Sequence, residues 1–152
     1  MSRYELLLFV HVLAAAAWFG AALLALVLVE LAARADDSDT VLKLGEYEDK
    51  LAALLFIPSA LLVLVAGFAL VFDSPWSFAD DGWVGAGLAV LVGTFVLGVG
   101  LIVPAGNKMK RLAAEGAPAD ELRRQIGRYR ALSWIDVGLL ALAIFLMTTK
   151  PF

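Results

Sequence analysis

Four apolar windows, each about long enough to cross a bilayer, constrain this chain more than any other feature. Windows 6–29, 51–72 and 82–107 contain no Asp, Glu, Lys or Arg, and window 131–149 contains only Asp136. A membrane-spanning helix needs about 20 apolar residues. A soluble domain would also need a richer charged surface than the 18% of charged residues found here. The sequence therefore predicts an all-α, integral membrane four-helix transmembrane bundle with up-down topology, forming a single domain over 1–152.

We place the four spans at about residues 5–33, 48–72, 82–107 and 130–149. The first window is too long for the core of a cleaved signal peptide, which runs to about 7–15 residues, so we expect it to be retained. The acidic stretch 36–39 is expected to cap a helix that leads into the second span. Over about 118–130 the pattern predicts a basic amphipathic helix on the inner face, with a solvated helical hairpin as the alternative.

The distribution of basic residues predicts the orientation of the chain in the cell (inner) membrane. Ten of the twelve lie around the loops after the first and third spans, namely Arg34, Lys43, Lys50, Lys108, Lys110, Arg111, Arg123, Arg124, Arg128 and Arg130. Such loops resist translocation, so both should be cytoplasmic, with both termini outside. Anionic lipids are the expected partners of these loops. Trp76, Phe78 and Trp83 flank the outer loop, as aromatic rings do at a headgroup boundary.

Small residues at helical spacing predict where the spans approach each other closely. Ala16 and Gly20 in the first span, and Ala89 and Gly93 in the third, are four residues apart. Gly67 and Gly87 fit the same interpretation.

The inventory of ligating side chains excludes several kinds of chemistry. The chain has no cysteine and a single histidine, His11. Disulfides, thiolate chemistry, and zinc or copper sites built from His and Cys clusters are therefore excluded within one chain.

Polar groups inside a span are costly and mark candidate functional positions. His11 and Trp18 share one face of the first span, and alanines beside them leave room for a flat ligand. The alternative is a neutral imidazole hydrogen-bonded to a neighbouring helix, with Trp18 as packing. Asp136 in the fourth span is the other buried polar candidate, with Ser133 and Arg130 as expected company. The alternative is an acid near the membrane interface that reaches water or an arginine.

Two further acids, Glu30 and Glu48, are expected to stay solvated at the cytoplasmic boundary. Pro58, near the middle of the second span, is expected to kink that helix.

A family resemblance suggests a chemical role for His11. His11 followed by Trp18-Phe19-Gly20 resembles the first-helix signature of the CopD-like and HemJ-type membrane proteins, and the ending Lys150-Pro151-Phe152 is similar too. HemJ-type proteins are protoporphyrinogen oxidases that bind haem in a four-helix bundle. The resemblance implies haem b as the cofactor, with His11 as the metal ligand and Trp18 beside it. This chain departs from the family pattern early in the third helix, where the family has a lysine and this chain has Gly87 or its neighbours. It also departs at 133–136, where the family has Asn-Glu-x-Pro.

Three arrangements would complete such a haem site. The iron could be five-coordinate, be shared between the His11 residues of two chains, or take Met147 as its second ligand. Met147 is the only methionine within a predicted span and lies in the same leaflet as His11.

A second resemblance covers nearly the whole chain. A family of predicted integral membrane proteins, classed as a domain of unknown function, has a similar pattern. The shared features are Ile57-Pro58-Ser59, Gly67, Trp76-Ser77-Phe78, Trp83-Val84, Pro104, the basic third loop, Asp136 and Lys150-Pro151.

The sequence thus predicts a small multi-pass membrane protein that is a ligand-binding bundle or an accessory subunit rather than an enzyme. The ligand that the resemblance suggests is haem or another tetrapyrrole. A haem-dependent oxidoreductase of the HemJ type and a small transporter are the alternatives. The expected partners are the lipid bilayer and a second copy or a membrane complex, not nucleic acid.

Overall fold

The structure, a computed structural model, describes residues 2–77 and 81–151, and their regular structure is helical throughout. The described residues form six α-helices: α1 (Arg3–Arg34), α2 (Ser38–Leu51), α3 (Ile57–Phe72), α4 (Gly82–Leu97), α5 (Val103–Ala114) and α6 (Ala119–Thr149). Two π-helical turns, Ala52–Phe56 and Gly98–Ile102, join α2 to α3 and α4 to α5 without a break.

The chain therefore forms four long helical spans, which confirms the predicted four-helix membrane bundle. α1 is the first span, Ser38–Phe72 the second, Gly82–Ala114 the third and α6 the fourth, and all are long and apolar enough to cross a bilayer. α1 packs along α3 and α6, and α4 packs along α6. Among the described residues, close packing between the second and third spans is confined to α2 and α5.

One end of the bundle, here called the basic end, carries the short loops that follow α1 and α5. Its helices share an apolar core built around Val29, Val41, Met109, Ile126 and Tyr129. The basic segment predicted as helical over about 118–130 and the fourth span form one continuous helix, α6. Gln125 is buried in this part of α6 and donates a 2.9 Å hydrogen bond to the carbonyl of Ala105. This segment therefore packs within the bundle.

The loop after α1 starts the second span with a side-chain cap, as the acidic stretch predicted. The carboxylate of Asp37 accepts hydrogen bonds from the hydroxyl of Thr40 at 2.6 Å and from its backbone N–H at 2.9 Å. These bonds lower the pKa of Asp37, because they stabilise the charged form.

At the opposite end, the tryptophans on either side of the second loop meet in a T-shaped contact. The ring centroids of Trp76 and Trp83 are 5.2 Å apart. The ammonium of Lys150 lies over both rings, 3.7 Å from the centroid of Trp76 and 5.2 Å from that of Trp83. Lys150, at the end of the fourth span, therefore contacts the tryptophans on both sides of the second loop. Phe78, predicted to lie with these rings, is outside the described residues.

Small residues mark helix contacts at some of the predicted positions only. A Cβ on Gly67 or Gly87 would meet a side chain of another helix, as predicted. Around Gly20 and Gly93, a Cβ would meet no atom within 4 Å, so the prediction that these two glycines pack against a neighbouring helix of the bundle is wrong. Their spacing alone does not determine which face of the helix meets a neighbour.

Candidate functional site

His11 is held at the contact between α1 and α3. Its Nδ1 lies 2.9 Å from the main-chain carbonyl oxygen of Val63. Because a carbonyl only accepts, Nδ1 carries the proton, and Nε2 of the neutral ring is left as an acceptor. A Cβ on Gly67 would lie 3.1 Å from Cε1 of the imidazole. The hydrogen bond to a neighbouring helix, one of the two sequence interpretations, is therefore present.

Met147 lies at a different contact, between α6 and α4. Its methyl group packs so closely against Gly87 that a Cβ there would overlap it.

His11 and Met147 lie at two different helix contacts of the bundle. His11 contacts α3 and Met147 contacts α4, and neither residue lines the large cleft described next. Haem ligation by His11 therefore stays a prediction that the described contacts do not support.

Trp18 lines a cavity inside the bundle. Its buried indole packs with Ala60 and Leu140 and makes an edge-to-face contact with Phe95, with centroids 6.0 Å apart. It lies seven residues after His11 on the face of α1 that meets α3, as predicted. The open space beside the alanines is at Ala22, next to Trp18, rather than at His11.

This cavity is a cleft of about 260 Å³ between the second and third spans. Trp18, Ala60 and Val137 form its buried back wall, and the lining is mostly apolar. At its rim, Ile57 of the second span is 54% exposed and Val99 of the third span is 71% exposed. The cleft therefore opens sideways, towards the surface that lipid covers in a membrane.

Both walls of the opening carry the same local interruption. The π-helical turns Ala52–Phe56 and Gly98–Ile102 each contribute residues to the cleft. Each turn is followed by a proline, Pro58 or Pro104, at the second position of the next α-helix. Proline has no N–H to donate, and π-helical turns are frequent at functional sites. The expected interruption at Pro58 thus takes the form of a π-turn, with a matching one before Pro104.

Three of the four charged side chains that line the cleft, Glu48, Asp49 and Lys110, lie at its basic end. The hydroxyl of Tyr129 donates to the carboxylate of Glu48, and the ammonium of Lys110 pairs with Asp49. These contacts connect the second span to the fourth and to the third. An apolar cavity with a few convergent polar groups at one end is typical of a small-molecule site.

Asp136 lies deeper along the same wall. It is seven residues after Tyr129 on α6, which places it roughly 10 Å further from the basic end. It lines the cleft and makes no hydrogen bond or ion pair within residues 2–77 and 81–151. Arg130, one of its expected partners, instead pairs with Glu30 at 2.6 Å.

Two site features differ from the sequence-based expectation. Glu30 accepts hydrogen bonds from Arg130 and Arg34, and its side chain is only 13% exposed. Glu48 is engaged by Tyr129 inside the cleft. The prediction that both acids are solvated is therefore wrong. The spacing of Tyr129, Ser133 and Asp136 on one helical face was the available signal for a polar stripe.

Fold and cleft together define a four-span integral membrane protein with a laterally open cavity. The chain belongs to the family described as "Predicted integral membrane protein (DUF2269)", whose model matches residues 5–151. No curated protein and no solved structure matches the chain.

Proposed function

We propose that this protein binds an amphipathic, lipid-like molecule in the cleft between its second and third spans. The observation that carries the proposal is the sideways opening between Ile57 and Val99, with mostly apolar walls behind it and a small number of polar side chains. A ligand from the bilayer would place its chain between the spans and its head against the polar side chains that line the cleft.

The length of the cleft suits an acyl chain. On the second span the lining runs from Gly45 to Ala60, roughly 22 Å at the rise of an α-helix. One leaflet of the hydrocarbon core is about 15 Å thick, half of the usual 30 Å. A lipid tail from the leaflet at the basic end therefore fits this length.

We place the basic end at the cytoplasmic face of the inner membrane, with both termini outside. The support is the concentration of Lys and Arg around the loops after α1 and α5, together with the positive-inside rule. Anionic headgroups would then collect around the mouth of the cleft, at about 1 kcal/mol for each basic residue near the surface.

A glycine pair in one π-turn supplies the test. Gly98 lines the cleft, while Gly100 is exposed and does not, and a Cβ on either would meet no atom within 4 Å. Gly98→Leu should fill the cleft, and Gly100→Leu should only face lipid. The protein would be reconstituted in vesicles containing a phospholipid with a diazirine on its acyl chain, and the photo-crosslinked residues would be mapped by mass spectrometry.

We expect crosslinks at the back wall, at Trp18, Ala60 and Val137. Gly98→Leu should remove these crosslinks and Gly100→Leu should keep them. Labelling that is confined to the lipid-facing surface, or that is unchanged in Gly98→Leu, would contradict the proposal.

A small transporter is the second candidate, favoured by the paired π-turns. Helices interrupted at corresponding positions commonly flank transport sites. Loss of a bound amphiphile from one leaflet and its appearance in the other, in vesicles with wild-type protein but not Gly98→Leu, would distinguish transport from binding alone.

A further inference from the structure

We propose that the cleft selects amphiphiles with a cationic, amine-bearing head, and that Asp136 is the residue that recognises it. The inference rests on the proposed ligand-binding function and names the chemical class of the ligand.

The charges that line the cleft are unbalanced. The lining contains Glu48 and Asp49 from the second span, Asp136 from the fourth, and a single basic residue, Lys110, from the third. The lining residues from α1, among them Trp18 and Ala22, carry no charge. Three acids thus face one base, and an ammonium group complements the remaining negative charge.

The cleft's other charged groups already have partners. Lys110 pairs with Asp49, and Glu48 accepts from Tyr129. The hydroxyl of Ser133 donates to the carbonyl of Tyr129 at 3.0 Å, so it too is engaged. Asp136 is the carboxylate that lines the cleft without a hydrogen bond or ion pair among the described residues.

A carboxylate within a span is costly unless it is paired. A ligand ammonium supplies both the opposite charge and N–H donors, and charge-assisted hydrogen bonds are roughly twice as strong as neutral ones. An alcohol head could donate only one hydrogen bond and brings no positive charge, and a carboxylate head would be repelled. The expected order of affinity is therefore amine, then alcohol, then carboxylate.

The test uses one photoreactive alkyl chain that ends in a primary amine, an alcohol or a carboxylate. Competition against crosslinking would give the affinity of the reconstituted full chain for each probe. We expect the amine to bind the wild-type protein about tenfold more tightly than the alcohol. Asp136→Asn should reduce the affinity for the amine probe to that for the alcohol probe. Asp136→Glu should retain the preference for the amine probe.

Asp120→Asn is the matched control, because Asp120 is on the same helix but is exposed and paired with Arg124. It should leave all three affinities unchanged. Equal affinities for the three heads in the wild-type protein, or an amine preference that survives in Asp136→Asn, would overturn the inference. If Gly98→Leu still lowers the affinity of every probe in that case, the proposed function stands. If Gly98→Leu affects none of them, the proposed function itself fails.

Discussion

The imidazole of His11 donates a 2.9 Å hydrogen bond to the carbonyl of Val63, one helical turn before Gly67 on the same helix. Gly67 has no side chain, and the ring occupies the space that a Cβ would need. The glycine and the histidine therefore form one packing unit between α1 and α3.

The first prediction follows from this unit. Gly67→Ala should lower the free energy of unfolding in bicelles by about 1–3 kcal/mol, because the added methyl crowds the imidazole. The measurement is reversible denaturation in the same bicelles. Gly93→Ala is the control, since a Cβ there meets no atom within 4 Å, and it should cost nothing.

A double-mutant cycle attributes the effect to His11. In a His11→Ala background, Gly67→Ala should cost clearly less than in the wild-type protein, because the crowded ring is gone. An equal cost in both backgrounds would show that the methyl clashes with something else.

The second prediction concerns the polar end of the cleft. Tyr129→Phe removes the donor to Glu48 and should destabilise the protein by about 1–3 kcal/mol, since a buried acceptor is left unsatisfied. The destabilisation caused by Tyr129→Phe should be smaller in a Glu48→Met background. Tyr47→Phe is the matched control, because Tyr47 is 61% exposed and should be insensitive. Equal effects of the two substitutions on the denaturation midpoint would refute the role of this hydrogen bond.

The third prediction concerns the C-terminal lysine. Lys150→Met should lower the free energy of unfolding by about 0.5–2 kcal/mol, because the cation over Trp76 and Trp83 is lost. Lys150→Arg should retain most of the stability. Lys108→Met is the control, since Lys108 is exposed and has no ion pair or ring contact within the described ranges. If Lys108→Met lowers the free energy of unfolding by as much as Lys150→Met, the loss of a positive charge explains the effect, and the contact with the tryptophans does not.

The fourth prediction tests the orientation. The chain has no cysteine, so each introduced thiol reports one position. Asp39→Cys and Ala114→Cys, at the exposed basic end, should resist a membrane-impermeant maleimide in intact cells and react after the cells are opened. Ser2→Cys, at the opposite end, should react in intact cells. The reverse pattern would invert the proposed topology.

The sequence was sufficient to predict the helical spans, because length and hydropathy alone decide which segments can cross a bilayer. It also identified Asp136, since an acid within an apolar window stands out. The cleft could not be predicted, because it depends on which spans fail to pack along their length. Glu48 and Tyr129 are 81 residues apart in the chain, and only the fold brings them together.

The two π-helical turns could be predicted only in part from the sequence. Pro58 indicated an interruption in the second span, but a proline does not reveal whether a helix kinks, stops or widens by one residue. Pro104 carries the same signal in the third span. That the two interruptions face each other follows from the tertiary structure alone.

The π-helical turns divide the four spans into two that are continuous α-helices and two that are interrupted. α1 and α6 have no π-turn and pack against each other, so they form a continuous spine. The second and third spans are the arms on either side of the opening, and each has its irregular backbone where it borders the cleft. A change in the width of the opening could therefore be confined to bending of the two arms, with the spine and its register undisturbed.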